Sequence, residues 1–435
     1  MKYWLILPFC LIYNTLHAQN TTENIDGGNV YAWITPVVLC FVLLEVSIEL
    51  YYKKGYISFQ EAITNFGTAI ANQTINVLLA VGVYHIYGYL HNNYGLISIN
   101  LNWLSFLLLL LSLDFIFYWV HRWGHEINIF WAAHSPHHSA EEMNFCVALR
   151  ASVTQRLMSF LFFWPLTLVG FKPMDIYMMS ALHLFISFLH HTEYVRKLGW
   201  LEYIFTTPSH HRVHHGVNFR YLDKNYGEFL IIWDKLFGSF APETEKVIYG
   251  MYSPPKSWNP ITINFHYFII LWKDAVAAPL WWDKLRIWFM PLTWRPAGLA
   301  PKPALIEITA QNQVKFSTEM FANAKPYLIL HLILGLFLML TVIQQNSSWT
   351  IIERWAGAIL LWFMIINWAG IMEKAKWTAV AEYIRLVLVS VAVVYFSELH
   401  LYPIYLTIII LLFLVSMYWV FQNFRIDSGI KKLAI

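Results

Sequence analysis

The stretch HRWGHEINIFWAAHSPHH, residues 121–138, places five histidines within eighteen positions at the end of an apolar run. Residues three and four apart share one face of an α-helix, so side chains at that spacing can point toward one place. Three groups have the spacing: His121 with His125, His134 with His137 and His138, and, in SHHRVHH (209–215), His211 with His214 and His215. The pattern predicts three helical segments whose imidazoles bind metal.

The composition favours a membrane protein. Of the 435 residues, 58% are hydrophobic and only 13% are charged, whereas soluble domains carry roughly 25% charged residues. The 21 tryptophans and 25 tyrosines are typical of chains that cross membrane–water interfaces. A net charge of +3 does not indicate nucleic-acid binding. We therefore predict an all-α polytopic membrane protein, built as a transmembrane helical bundle.

The histidine count predicts two metal ions. The three cysteines have no CxxC spacing, so any metal must be held by nitrogen and oxygen. Imidazole suits iron, zinc, copper and nickel, and a structural zinc site is closed by four ligands, so eight histidines indicate two ions and chemistry. Zinc could hydrolyse a lipid ester and iron could activate dioxygen, and the absence of GxSxG and HExxH motifs favours the oxidative alternative. A membrane metal transporter or sensor is an alternative of another class.

Apolar runs of about 20 residues can cross a bilayer. Candidate spans are 31–51, 64–90, 101–120, 326–344, 355–372, 378–396 and 403–421, and the runs 157–171 and 174–190 predict a hairpin that does not cross fully. Basic residues mark the cytosolic side, and YYKKGY (51–56), EKAKW (373–377) and SGIKKLAI (428–435) therefore place residues 121–155 and 191–325 inside. The histidines are thus predicted at the cytosolic face of a multi-pass protein, in a bacterial inner membrane or alternatively in the endoplasmic reticulum.

These patterns divide the chain into four predicted segments. Residues 1–20 have the features of a secretory signal peptide, with an uncleaved anchor as the alternative. Residues 31–290 form the predicted catalytic domain, in which 266–290 should lie along the membrane interface. Its charged residues are expected to face water: Lys273, Asp274, Asp283, Lys284 and Arg286. Residues 291–325 contain four prolines and predict a linker. Residues 326–422 predict a four-helix transmembrane block that could dock a partner or cover the lipid entrance.

The motifs HRWGHE, HSPHHSAEEMN and TPSHHRVHHGVN resemble the histidine boxes of the fatty acid hydroxylase and sterol desaturase superfamily of membrane di-iron oxygenases. The stretches DFIFYWVHRWGHEINIFWAAHSPHHSAEEMNF and DKNYGEFLIIWDKLFGSFAPE are similar to the alkylglycerol monooxygenase branch. The resemblance runs from about residue 31 into the 260s and implies that the eight spaced histidines bind metal, with His210 beside them. It adds His191 of FLHHTEY as a ligand. Related hydroxylases have another histidine where this chain has Ser187, and His190 or His183 could replace it.

Two acidic residues near these boxes are candidate catalytic residues. Glu126 matches an acidic residue in the branch's first box, so it could orient a ligand or bind a metal; the alternative is an ordinary helix-surface position. Asp114 lies within an apolar span, where a charge is costly, two turns before His121. It could hydrogen-bond toward the metal site or serve helix packing alone.

The resemblance also implies a reaction. Two iron ions would use O2 to hydroxylate a lipid C–H bond, and the purified protein could carry zinc instead. In the alkylglycerol monooxygenase branch the carbon next to an ether oxygen is hydroxylated, a fatty aldehyde is released, and tetrahydrobiopterin supplies the electrons. The alternatives are a sterol, carotenoid or fatty-acyl hydroxylase or desaturase, and a different external reductant or a separate electron donor. The partners implied are the membrane and a lipid substrate within it.

Overall fold

The computed structural model describes residues 29–344, 349–396 and 403–426. These residues form helices and irregular segments, with three isolated β-bridges and no strand among them. The α-helices are α1 (Asn29–Tyr52), α2 (Phe59–Tyr94), α3 (Trp103–Glu126), α4 (Asn128–His138), α5 (Phe145–Ala148), α6 (Gln155–Val169), α7 (Pro173–His190), α8 (Pro208–His214), α9 (Ile232–Phe237), α10 (Pro260–Ala277), α11 (Trp281–Arg286), α12 (Ala324–Gln344), α13 (Ile351–Met372), α14 (Thr378–Phe396) and α15 (Pro403–Ile426). Short 3-10 helices span Gly199–Tyr203, Phe219–Tyr221 and Ile287–Phe289. The predicted all-α fold is confirmed.

Six of the described helices are long and apolar enough to cross a membrane. These segments are Ile34–Tyr52, Trp103–Glu126, Ala324–Ile343, Ile351–Met372, Thr378–Tyr395 and Leu406–Phe424. Each coincides with a run predicted from hydropathy, because about 20 apolar residues in a helix match the thickness of the hydrocarbon layer. The chain is therefore a multi-pass integral membrane protein. The predicted signal peptide at 1–20 lies outside the described residues.

The run at 64–90, predicted as a candidate span, belongs to α2, a single helix of 36 residues that is not among the six described helices apolar enough to cross a membrane. It carries buried polar side chains along one side, among them Asn65, Thr68, Asn72 and Asn76. Such residues are costly against lipid, so α2 is covered by other helices: it packs against α6, α12 and α13. The helix is thus the central element that joins the early and late parts of the bundle.

The predicted hairpin at 157–190 is formed by α6 and α7, which meet at Gly170. This glycine has φ of +124°, and a Cβ there would lie 2.2 Å from the carbonyl oxygen of Ile97. Only glycine fits such a conformation and such a close contact. The sharp turn returns α7 alongside α3, so that both helices end near the histidine-rich segments.

The segment 266–290 presents large aromatic side chains at its surface, including Trp272, Trp281 and Trp282. Exposed tryptophans of this kind suit the headgroup region of a membrane. One detail of the prediction is wrong, because Asp283 does not face water. Its side chain is fully buried and lies 2.8 Å from Nε of Arg286, one helical turn later. A carboxylate buried beside a cation avoids the cost of an unpaired buried charge.

The predicted linker runs as irregular chain from residue 291 to residue 323 and is fixed to the rest of the protein. Phe316 N donates to Glu141 Oε2 at 2.7 Å, and Thr318 Oγ1 donates to the carbonyl of Met372 at 2.6 Å. The late helices share one hydrophobic core with the early part of the chain, since Ile63 and Ile70 of α2 lie in the same cluster as residues of α12 to α15. The two parts therefore pack as one body.

Candidate metal centre

Nine buried histidines form two adjoining groups. One group contains His121, His125, His134, His138 and His214, and the other contains His137, His191, His211 and His215. In each group the candidate ligand nitrogens all lie within 4.8 Å of one another. The groups combine the end of α3, the C-terminal half of α4, the residue after α7, and α8 with the residue that follows it. Four elements thus supply one cluster that could hold metal.

Local structure explains why these segments converge. α3 ends at Glu126 and α4 begins two residues later at Asn128, whose side chain donates to the carbonyl of Ile287 at 2.9 Å and accepts from Tyr267 Oη at 3.1 Å. This anchored corner folds α4 back toward the end of α3. α8 begins at Pro208, and proline is favoured at the first helical position because its missing N–H has no partner there.

The imidazole nitrogens within each group lie close together. Nε2 of His134 is 3.1 Å from Nε2 of His121 and 3.0 Å from Nε2 of His138. In the second group, Nε2 of His191 is 3.1 Å from that of His137 and 2.9 Å from that of His211. Each group therefore directs its ring nitrogens inward, to a common point.

Backbone carbonyls fix the orientation of three of these rings. Nδ1 of His121 donates to the carbonyl of Tyr226 at 2.8 Å, that of His191 to Ser187 at 3.0 Å, and that of His214 to Lys224 at 3.1 Å. A carbonyl oxygen can only accept, so Nδ1 carries the proton and Nε2 carries the lone pair. Metal-binding histidines are held in this way in most metalloproteins.

The arrangement fits a bound cation. Lone pairs that face one another at about 3 Å repel unless a positive centre lies between them. The Nε2 atoms of His125 and His214 are buried without any hydrogen-bond partner, a state that is costly for a polar atom unless it binds a ligand. The donor set is nitrogen only, which suits iron, zinc, copper or nickel and does not choose among them.

Burial keeps the imidazoles in their metal-binding form. Desolvation by burial lowers the pKa of seven histidines of the centre: His134, His137, His138, His191, His211, His214 and His215. For His191 burial lowers the pKa to about 3, and for His137 the neighbouring His191 adds to the effect of burial. These seven rings are therefore neutral at pH 7, as metal coordination requires.

Asp114 and His183 form a separate buried pair beside the centre. Nε2 of His183 donates to Asp114 Oδ1 at 2.8 Å. The same carboxylate accepts from the backbone N–H of Phe229 at 3.0 Å and of Leu230 at 3.2 Å, and from Trp233 Nε1 at 2.8 Å. Asp114 thus makes the polar contacts expected of a buried charge, but its partners are the backbone at Phe229 and Leu230, Trp233 of α9, and His183, which belongs to neither metal group.

Three other candidates also lie outside the two groups. Glu126 is half-exposed and pairs with Arg122, with Nε donating to Oε1 at 2.8 Å. His210 is buried against Phe240, with ring centroids 5.6 Å apart. His190 is buried near His211, with ring centroids 5.9 Å apart, and Ser187 contributes its carbonyl oxygen to His191. None of these side chains joins the nine imidazoles.

One acidic residue at the centre escaped the sequence reasoning. Glu228 is buried, its Oε2 lies 3.9 Å from Nδ1 of His121, and its Oε1 has no hydrogen-bond partner. Burial, followed by the charge of Asp114, raises the pKa of Glu228 to about 8. The residue lies in an irregular segment with no periodic pattern, so the only available signal was an acidic residue directly before the apolar residues FLII (229–232).

An apolar cavity of about 210 Å³ adjoins the metal centre. At one end it is lined by His121, His134, His137, His191 and His211 of both groups. Elsewhere its wall consists mainly of apolar side chains such as Phe117 and Phe188. A cavity of this composition suits a hydrocarbon chain that ends beside the metals.

Comparison with known proteins agrees with this site. A family model described as "Fatty acid hydroxylase" matches residues 106–239, the range that contains all nine histidines. The alkylglycerol monooxygenase of Homo sapiens is 37% identical over 312 residues, which cover 69% of this chain and 68% of the relative. That of Danio rerio is 35% identical over 316 residues, covering 71% and 69%. No solved structure matches the chain significantly.

The alkylglycerol monooxygenase of Xenopus tropicalis is 34% identical over 285 residues, and the chain spans 61% of that relative's length. A membrane helical bundle with paired histidine groups, matched by that family model, defines the class: the chain belongs to the fatty acid hydroxylase family. Within the family it belongs with the alkylglycerol monooxygenases, since the similarity to them extends well beyond the histidine segments.

Proposed function

We propose that this protein is a di-iron membrane monooxygenase that hydroxylates a lipid C–H bond with O2. The observation that carries the proposal is the position of two neutral histidine groups at the end of an apolar cavity. Iron bound by these groups would supply the activation of dioxygen. The nine imidazoles hold the metal, and the apolar wall positions the lipid chain and excludes water.

The proposed substrate is an alkylglycerol, attacked at the carbon next to its ether oxygen. One oxygen atom of O2 enters the C–H bond and the other leaves as water, and two electrons and two protons are consumed. The resulting hemiacetal separates into a fatty aldehyde and a glycerol derivative. The electrons are proposed to come from tetrahydrobiopterin or another external reductant. The named activity of the relatives supports this substrate, and the apolar cavity suits its chain.

The proposal assigns ligand roles to the nine grouped histidines. His210 and Glu126 receive none, because both lie outside the two groups. Asp114 is proposed to act as a positioning residue: it holds His183 and the backbone at Phe229 and Leu230 beneath the centre. We further propose that the centre lies on the cytosolic side, where a soluble reductant could reach it.

The test uses purified protein in lipid nanodiscs, loaded with iron and supplied with an alkylglycerol. Metal content is measured by mass spectrometry, and aldehyde release is measured with and without O2 and tetrahydrobiopterin. We expect aldehyde only when all components are present. His211→Ala should lose metal and activity, whereas His210→Ala, a change at the adjacent buried histidine, should retain both.

Different outcomes would refute either the metal centre or the alkylglycerol substrate. If the wild-type protein binds no iron at the two groups, the metal centre is refuted. If it binds two irons yet releases no aldehyde under any condition, the alkylglycerol assignment is wrong. The alternative is then a sterol, carotenoid or acyl hydroxylase or desaturase, and a desaturase would yield an unsaturated lipid without aldehyde.

A further inference from the structure

The cavity beside the metal centre reaches the C-terminal helices. Its far wall includes Leu336 and Met339 of α12, together with Ile34 and Val38 of α1. Met339 is buried, with 3% of its side chain exposed, although it lies in a membrane-spanning helix. The C-terminal helices carry none of the nine histidines, yet they form part of the surface that a bound hydrocarbon chain would touch.

The depth of the cavity follows from helix positions. Leu113 lines it thirteen residues before the end of α3, which corresponds to about 20 Å of helix at 1.5 Å per residue. The start of α12 lies at the same level as the start of α2, since Nζ of Lys325 is 5.7 Å from the ring centroid of Phe59. Met339 is fifteen residues after Ala324, again about 20 Å along its helix. The far wall thus lies deep in the hydrocarbon layer.

The part of the cavity wall that α12 forms is fixed by close packing against α13. Gly335 faces Trp368 of α13, and a Cβ at Gly335 would lie 2.7 Å from that indole ring. This close approach fixes the distance between α12 and α13, and Trp368 itself is buried with 1% exposure. A packed interior responds to added volume with strain rather than by yielding freely. The depth of the cavity is therefore set by the side chains at 336 and 339.

We propose that Leu336 and Met339 determine the length of hydrocarbon chain that the enzyme accepts. This inference rests on the proposed lipid monooxygenase function and gives the C-terminal block a part in substrate selection. The reacting carbon is fixed at the metals, so the remainder of the chain must fit between them and α12. Each methylene beyond the length that the cavity holds must displace packed side chains, which should lower kcat/KM by about fivefold or more.

The test compares dodecyl-, hexadecyl- and eicosylglycerol ethers as substrates in nanodiscs. Met339→Trp should shift the preference toward the shorter chains, and Met339→Ala should shift it toward the longer ones. Phe337→Trp is the matched control, because Phe337 lies in the same helix with 44% of its surface exposed to the outside. It should leave the chain-length profile unchanged.

A second readout does not depend on turnover. An alkylglycerol with a photoreactive diazirine at the chain terminus should crosslink to the peptide that contains Met339, and Met339→Trp should abolish that crosslink. Aldehyde release with an unchanged chain-length profile in both Met339 variants would overturn the inference. Absence of aldehyde from every ether would refute the proposed function instead, and the crosslink would then decide the inference by its presence or absence at α12.

Discussion

Replacing Asp114 by asparagine removes one half of a carboxylate that four donors share. Oδ1 accepts from His183 Nε2 and the Phe229 N–H, and Oδ2 accepts from the Leu230 N–H and Trp233 Nε1. An asparagine amide has one oxygen. If its NH2 group replaces Oδ2, it faces two fixed donors, the Leu230 N–H and Trp233 Nε1. If it replaces Oδ1, it faces the Phe229 N–H and His183, whose ring can change tautomer and accept. Asp114 is fully buried, and water cannot replace the lost partners.

The magnitude follows from the one or two donors left unpaired. A buried donor without a partner costs about 1–3 kcal/mol, so Asp114→Asn should lower the free energy of unfolding by about 1–6 kcal/mol. With an unfolding entropy of about 2.1 cal/mol/K per residue over the whole chain, that loss corresponds to a decrease of about 1–7 °C in Tm. The change should appear in protein that still contains its metals.

The assay is thermal unfolding in detergent, followed by tryptophan fluorescence. Glu126→Gln is the control, because it makes the same carboxylate-to-amide change in the same helix at a half-exposed ion pair with Arg122. Exposed pairs contribute less than about 1 kcal/mol. Equal unfolding temperatures for the two variants would refute the view that Asp114 supports the loop beneath the metal centre.

Three further changes test other parts of the molecule. Burial, followed by the charge of Glu61, raises the pKa of Glu142 from 4.5 to about 7, so its contribution to stability is complete below pH 4.5 and is lost as the pH rises toward 7. Glu142→Gln should flatten the decrease in Tm over this range, and an unaltered pH profile would contradict this. Glu382→Gln leaves the buried Arg385 without its carboxylate and should cost about 3–5 kcal/mol on denaturation. Glu382→Leu combined with Arg385→Met should recover only part of that loss, because buried Tyr327 and His331 lose their partners. Truncation after residue 325 exposes the core shared by α2 and the late helices, so size-exclusion chromatography should show aggregated protein; a monodisperse product that binds metal would contradict the shared core.

The helices and the metal-binding character could be predicted because both depend on local pattern. Strongly apolar runs of about 20 residues become spanning helices, and spacings of three and four place histidines on one helical face. The burial of Asp283, Glu382 and Arg385 had no such signal. The spacing of three residues makes each acidic residue a neighbour of its arginine on one helix, but only the packing of other elements decides whether such a pair is buried.

The sequence by itself determined a polytopic helical membrane protein with enough histidines for two metals. Only the tertiary structure decided how the ligands divide. His137 and His138 are neighbours in the chain but belong to different groups, as do His214 and His215. Successive residues point about 100° apart around a helix, so one turn can serve two metals, and packing of α3, α4 and α8 selects which ring joins which. The same packing brought α12, distant in sequence, to the cavity wall.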